Sequence, residues 1–220
     1  MKKLKACWLS LTLLATAALP AQAATTVEFW HAMSGELGER VNELVDKFNK
    51  SQSDYVVRPV AKGTYDEVVN SMIAAYRAKQ QPAIVQVNER GFLTMLTSNA
   101  TMPTAELMSK AGFKIDWNDF IAPIRTYYTK DGQMMTMPFN SSTPIFFYNK
   151  DHFKAAGFDA PADNWQDLEA QLYAIKSKGV SKCGMVLPGD WEWSFLENYS
   201  AIEDQPYATK RNGFDGLDAV

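Results

Sequence analysis

Polar side chains that could bind a small molecule follow the predicted strands of this chain. Tyr65 and Glu89 come after the second and third predicted strands, and Ser141 lies in a hydroxyl-rich loop before a fourth. A phenol, a carboxylate and several hydroxyls suit the hydrogen bonding of a small polyhydroxylated molecule. Trp191 and Trp193 add aromatic rings, and a ring in such a loop can stack on a ligand. These residue types predict a binding site and no catalytic chemistry.

Each of these residues also has a purely structural interpretation. Tyr65 could be a surface aromatic at the start of a helix. Glu89 could pair with Arg90 on the surface. Ser141 and Ser142 could satisfy backbone groups in a turn. The spacing of the residues leaves these alternatives open.

The chain lacks the local sequence motifs of common enzymes. It has no Gly-x-Ser-x-Gly elbow, P-loop, His-Glu-x-x-His or Gly-x-Gly-x-x-Gly. Its two histidines, His31 and His152, fall on opposite sides of residues 138–150. Two separated histidines argue against a catalytic triad and against a histidine-rich metal site. A lone histidine after a strand is typically a hydrogen-bonded structural residue. We expect no enzymatic activity, no metal and no cofactor.

The first 23 residues have the pattern of a cleavable signal peptide. A basic start precedes an apolar run over residues 6–19, and small residues follow at Ala21 and Ala23. Cleavage would remove three of the 22 basic residues and no acidic one, leaving 19 basic against 25 acidic residues. This charge argues against nucleic acid or an anionic membrane surface as a partner. We predict a periplasmic protein with one remaining cysteine, Cys183, as an unpaired buried thiol.

Strands and helices alternate before residue 138. Strands are predicted at 26–30, 55–60 and 83–87, with the second at a sheet edge because it contains Pro59. One helix is predicted over 37–48, and a second begins after a capping box of Thr64 and Glu67. The βαβαβ order predicts a mainly parallel sheet. Ligands bind outside the carboxyl ends of such strands, so four loops should share one edge: 31–34, 63–65, 88–90 and 140–143.

Residues 138–150 mark the passage between two predicted units. A polar loop bracketed by Pro138 and Pro144 runs into an apolar stretch over 145–149, which is typical of a strand buried on both faces. Further elements are predicted around it: short helices at 92–98 and 104–111, a strand at 134–137, helices at 150–156, 165–175 and 191–201, and a strand at 184–187. We predict residues 24–140 as a first α/β lobe. Residues 141–220 would form the hinge crossing and the start of an incomplete second lobe, since a helix is just beginning at the last residues.

Several stretches resemble a known family. FWHAMSGELG at 29–38 and PFNSSTP at 138–144 are similar to periplasmic sn-glycerol-3-phosphate-binding proteins of ABC importers, within the extracellular solute-binding proteins of family 1. YNKD at 148–151 and WQDL at 165–168 are shared with many extracellular sugar-binding proteins. The resemblance implies the two-lobed type II periplasmic-binding-protein fold. In that fold each lobe is a mainly parallel sheet flanked by helices, in a chain about twice this long.

The resemblance also implies a ligand, partners and site residues. It implies capture of sn-glycerol 3-phosphate between the lobes by a monomer and delivery to a membrane permease with its ATPase. Tyr65, Glu89 and Ser141 match ligand-contacting positions, Trp191 would line the cleft, and the phosphate contacts would lie beyond residue 220. The chain departs from the family at residue 88, which is Asn88 here and an aromatic residue before the glutamate in the family. This difference affects the shape of the pocket around Glu89. Glycerophosphodiesters or an oligosaccharide are the alternative ligands.

Overall fold

A computed structural model describes residues 23–187, 195–216 and 218–220 of the chain. The chain divides into two compact units, with the boundary between Phe139 and Asn140. The assignment of the two units as lobes of a ligand-binding protein, with a boundary after residue 140, stays a prediction.

Three parallel strands form the sheet of the first unit. They are β1 (Thr25–His31), β2 (Tyr55–Ala61) and β3 (Ile84–Val85), in the order β2-β1-β3. All seven residues of β1 pair with β2, from Thr25 opposite Tyr55 to His31 opposite Ala61, whereas β3 pairs with two residues of β1. The predicted parallel βαβαβ arrangement is confirmed, with β2 at an edge of this sheet and β3 shorter than predicted.

Two amphipathic helices connect these strands. Helix α1 (Gly35–Ser51) follows β1, and helix α2 (Tyr65–Arg77) follows β2. The predicted capping box begins α2, since the Thr64 hydroxyl accepts a hydrogen bond from the Glu67 N–H and the Glu67 carboxylate accepts one from the Thr64 N–H. Val68 and Met72 are the buried residues of α2. The predicted helices are therefore confirmed, and the start of α2 is defined by its own sequence.

Shorter elements complete the first unit. They are α3 (Glu89–Ser98), α4 (Thr104–Lys110), a 3₁₀ helix (Trp117–Asp119), α5 (Ala122–Tyr127) and an antiparallel pair of short strands, β4 (Thr129–Lys130) and β5 (Gln133–Met134). Helix α3 begins three residues before the predicted position because the Asn88 side chain accepts from the Gly91 N–H and caps it. Of the strand predicted at 134–137, Met134 alone lies in a strand, since β5 consists of Gln133 and Met134, which pair with β4.

Helices form the core of the second unit. They are α6 (Lys150–Ala156), α7 (Trp165–Ser177), α8 (Leu196–Ile202) and a short last element, α9 (Thr209–Asn212), with left-handed backbone at Lys210 and Arg211. Asn149 caps α6 and Asn164 caps α7. Four residues of α6 and α7 make the core cluster: Phe153, Ala156, Leu168 and Ile175. The predicted helices at 150–156 and 165–175 are confirmed, while part of the one predicted at 191–201 lies outside the described residues.

The strand predicted at 145–149 is not formed. Ile145 is 66% exposed and Phe147 is 85% exposed, so the stretch is not buried on two faces. An apolar segment becomes a strand only where another backbone pairs with it, and no described residue pairs with these. The strand predicted at 184–187 is absent for the same reason, with Val186 81% exposed. The prediction of a buried Cys183 was also wrong, because its thiol is exposed in this loop.

Among the described helices, none combines the length and the apolar character needed to cross a lipid bilayer.

Candidate ligand-binding site

The candidate site lies at the carboxyl edge of the first unit's sheet. The strands β1, β2 and β3 are parallel, so the loops that follow them leave the sheet at one edge. Tyr65 is the first residue of α2, and Glu89 is the first residue of α3. Both side chains are half-buried. The structure therefore places two predicted site residues at the starts of helices on the expected edge.

Gly91 lets the first turn of α3 lie close to α2. A Cβ atom at this position would lie 2.7 Å from Cγ2 of Val69 in α2 and 2.8 Å from Cγ1 of Val87. These distances are well below a normal carbon contact of about 3.5–4.0 Å, so a side chain at residue 91 would force the two elements apart. The close packing positions the start of α3, which carries Glu89, next to α2, which begins with Tyr65.

A third residue of the candidate site is Tyr128, which directly follows α5 and interacts electrostatically with Glu89 and Tyr65. Burial raises the pKa of the Tyr128 phenol, and the charges of Glu89 and Tyr65 raise that pKa further. The three groups are therefore close enough to interact electrostatically. The Tyr128 ring also lies edge-on to Phe92, with 5.1 Å between the ring centroids, and Phe92 is one helical turn after Glu89. The sequence gives no signal for Tyr128 beyond an aromatic pair with Tyr127 in an irregular stretch.

Two buried polar atoms at the start of α3 have no hydrogen-bond partner among the described residues. They are Nδ2 of Asn88 and Oε1 of Glu89. Asn88 is 7% exposed, and its other side-chain atom, Oδ1, already accepts from the Gly91 N–H at 3.3 Å. A buried polar group without a partner costs about 1–3 kcal/mol, and more when it is charged. The neighbouring residues thus offer one donor and one acceptor whose hydrogen-bonding capacity is unmet.

Buried side chains hold the loop after β1. The Ala32 N–H donates to Oε1 of Gln86 at 2.8 Å, and the Met33 N–H donates to Nδ1 of His31 at 3.2 Å. His31 is 3% exposed and Gln86 6% exposed. Burial lowers the pKa of His31, which fits the unprotonated Nδ1 that this hydrogen bond requires. The prediction that His31 is a hydrogen-bonded structural residue is confirmed.

The other two predicted site residues are not placed at this edge by the described structure. Ser141 is exposed and lies in the second unit, just after the boundary. Trp191 lies outside the described residues. No group of three or more histidine, cysteine, aspartate or glutamate side chains within the described ranges could hold a metal ion.

Comparison with known proteins identifies the family. A family model described as bacterial extracellular solute-binding protein matches residues 43–219. The chain belongs to this family. Its members bind solutes outside the cytoplasm, so the predictions of an extracytoplasmic location and of a protein that is not an enzyme are confirmed.

This solute-binding protein has close curated relatives. It is 46% identical over 205 residues to the sn-glycerol-3-phosphate-binding periplasmic protein UgpB of Pectobacterium atrosepticum. It is 44% identical over 205 residues to the protein of the same name from Escherichia coli strain K12. Each match covers 91% of this chain and 46% of the relative. The solute-binding protein therefore spans about half the length of the curated relatives it matches.

Solved structures of other binding proteins share its fold. The sugar-binding protein MalE from Xanthomonas citri has a TM-score of 0.60 and 26% identity, and the match covers 70% of this chain and 38% of that one. The cyclic α-maltosyl-1,6-maltose binding protein from Arthrobacter globiformis has a TM-score of 0.61 and 20% identity, over 81% and 45% of the two chains. The predicted fold class of the solute-binding protein is confirmed by these similarities.

Proposed function

We propose that this chain belongs to the periplasmic binding component of an ABC importer, which captures sn-glycerol 3-phosphate. The two relatives described above carry that ligand in their names and are more than 40% identical over nine-tenths of the chain. The chemistry at the carboxyl edge of the sheet supports a small polyol. In this proposal the loaded protein docks on a membrane permease, which an ATPase drives.

The observation that carries the proposal is the unpartnered pair at the start of α3. Oε1 of Glu89 needs a donor, and Nδ2 of Asn88 needs an acceptor. A glycerol hydroxyl donates one hydrogen bond and accepts others, so a single hydroxyl offers what both atoms lack. An apolar ligand would leave the same two atoms unsatisfied and would bind poorly. The site therefore selects for hydroxyl groups.

The charge of Glu89 sets the orientation of the ligand. A phosphate beside this carboxylate would be repelled, so the glycerol end faces α3 and the phosphate points away from it. Tyr65 and Tyr128 supply phenol groups next to Glu89 that can bond the remaining hydroxyl or pack on the carbon chain. We propose Ser141 and Trp191 as further contacts from the second unit. The phosphate is held by residues other than these.

Capture works by differential binding to two states. A ligand that binds one conformation of the protein more tightly than another favours that conformation. The permease then recognises that conformation, so an empty binding protein does not compete for it. The two unpartnered atoms in the first unit fit this mechanism, because a ligand hydroxyl that hydrogen-bonds them stabilises the bound state.

Calorimetric titration of the complete natural polypeptide tests the proposal. We expect sn-glycerol 3-phosphate to bind at micromolar concentration or below. Glu89→Gln weakens binding by about tenfold, because one charged hydrogen bond of about 1.5–3 kcal/mol becomes a neutral one of about 0.5–1.5 kcal/mol. The matched control is Glu39→Gln, which changes an exposed carboxylate on α1 and should leave the affinity unchanged.

A sugar is the second candidate ligand. The solved structures of similar fold include a sugar-binding protein and a cyclic α-maltosyl-1,6-maltose binding protein. Maltose and glycerophosphocholine are therefore titrated alongside. Heat with maltose and none with sn-glycerol 3-phosphate would overturn the ligand assignment while leaving the family intact.

A further inference from the structure

The strand order of the first unit defines a crevice between β1 and β3. The chain passes from β1 to β2 on one side, and then crosses to β3 on the other side of β1. The direction of strand addition therefore reverses between β1 and β3. In open parallel sheets, ligands bind at the carboxyl end of such a reversal, between the loops that leave the two strands. Here those loops are 32–34, after β1, and 86–88, after β3.

Gln86 spans this crevice at its base. Its backbone N–H donates to the carbonyl oxygen of Trp30 at 2.8 Å, which extends the pairing of β3 with β1 by one residue. Its side-chain Oε1 accepts from the Ala32 N–H at 2.8 Å. The side chain therefore continues the connection beyond the last backbone pair and attaches the loop after β1 to the loop after β3. Gln86 is itself buried, at 6% exposure.

His31 completes the attachment of the same loop. Its Nδ1 accepts from the Met33 N–H at 3.2 Å, so the imidazole is neutral and carries its proton on Nε2. The carbonyl oxygen of His31 accepts from the Lys62 N–H at 2.9 Å, which connects the loop after β2. Two successive amides, of Ala32 and Met33, are thus held by buried side chains. The orientation of these peptide groups is fixed before any ligand arrives.

We propose that Gln86 is a positioning residue for ligand capture, holding the two loops of the β1–β3 crevice in register beneath the bound molecule. The proposal rests on the proposed function, since it concerns how that ligand site is kept in shape. Gln86 acts through the Ala32 amide on one side. On the other side it acts through the short segment that leads to Asn88 and Glu89. A loose loop after β1 would widen the crevice and move these groups relative to one another.

Two substitutions separate the hydrogen bond from the volume of the side chain. Q86M keeps the length of the side chain but removes the acceptor of the Ala32 N–H. Q86E keeps an acceptor oxygen, and burial at this position favours the neutral carboxylic acid, whose hydroxyl replaces the amide nitrogen as a donor. The control is Gln81→Met, which makes the same chemical change at an exposed residue. Each variant is made in the complete natural polypeptide and compared by amide hydrogen exchange and by titration with sn-glycerol 3-phosphate.

In Q86M we expect the Ala32 amide to exchange at least about tenfold faster, while amides in the centre of β1, such as that of Phe29, keep their protection. The affinity for ligand should fall at least about tenfold. Q86E should keep the Ala32 protection and stay within about threefold of the wild-type affinity. Gln81→Met should change neither quantity.

Three results would overturn the proposal. The first is unchanged exchange at Ala32 in Q86M, and the second is faster exchange with unchanged affinity. The third applies if Q86M does not fold: a Q86E protein that loses the Ala32 protection but keeps the wild-type affinity shows that binding does not require the attachment. Failure of the wild-type protein to bind sn-glycerol 3-phosphate is a separate result. It removes the proposed ligand, while the exchange data still test whether Gln86 fixes the loop.

Discussion

Substituting Gly91 by alanine should destabilise the protein by about 1–2 kcal/mol. The new Cβ would lie 2.7 Å from a methyl group of Val69 and 2.8 Å from one of Val87. Both are β-branched side chains with little rotamer freedom, so relief requires a shift of α3 relative to its neighbours. Overpacking of this kind costs about 1–3 kcal/mol. Alanine recovers up to about 1 kcal/mol through its higher helix propensity, so a cost in the middle of the overpacking range, about 2 kcal/mol, leaves a net loss of about 1–2 kcal/mol.

Urea unfolding of the complete polypeptide, followed by circular dichroism, measures this change. Thr94→Ala is the control, because it places alanine at an exposed position of the same helix. The double variant Val69→Ala/Gly91→Ala removes one of the two clashing methyl groups and should be less destabilised than the sum of the single changes. A Gly91→Ala protein more stable than wild type would refute the argument, since helix propensity would then outweigh the contact with α2.

Three further changes test local features. Burial lowers the pKa of His31 in the native protein, whereas the unfolded chain protonates this imidazole near pH 6.5. The free energy of unfolding should therefore fall as the pH drops below 6.5, by at most about 1.4 kcal/mol per pH unit. Urea unfolding at pH 7 and pH 5 should show this loss, and His31→Asn should reduce it. Thr64→Ala removes the cap of α2 and should cost about 0.5–2 kcal/mol in urea, whereas Thr64→Ser should cost little. Asn164→Ala removes the cap of α7 and should cost a similar amount, seen as a lower thermal midpoint than in Asn164→Asp; equal midpoints for the two variants would contradict it.

The sequence predicts the first unit's sheet and main helices well because local patterns define them. Apolar residues at helical spacing mark α1, and the Thr64–Glu67 capping box marks the first turn of α2. Alternation of strands and helices then leaves few topologies other than a parallel sheet. Gly157, with a left-handed φ of 95°, ends α6 as expected of a helix C-terminus. These features depend on residues within one or two turns of each other.

Segments whose structure depends on distant backbone could not be predicted in the same way. Residues 145–149 have the composition of a buried strand, but Phe147 is 85% exposed because no described strand pairs with it. Residues 184–187 fail similarly. Composition reports what a segment could bury, while strand formation needs a partner that the local sequence does not contain. The burial of Cys183 was predicted from the general preference of free cysteine for the protein interior, whereas the residue lies exposed in a loop.

The candidate site was predicted only in part. Tyr65 and Glu89 could be located because they begin helices after parallel strands, and topology brings such positions together. Tyr128 and Gln86 could not, since their roles arise from packing against elements more than 30 residues away in sequence. Neither residue stands in a recognisable motif.

The unpartnered atoms of Asn88 and Glu89 also bear on attempts to engineer the protein. Buried polar atoms without partners lower the stability of a protein, so substitutions that remove them, such as Glu89→Leu, should raise its melting temperature. The same substitutions remove the groups that a hydroxyl-bearing solute would engage. A screen for thermostable variants would therefore select against capture, and the start of α3 should be held constant in any such library.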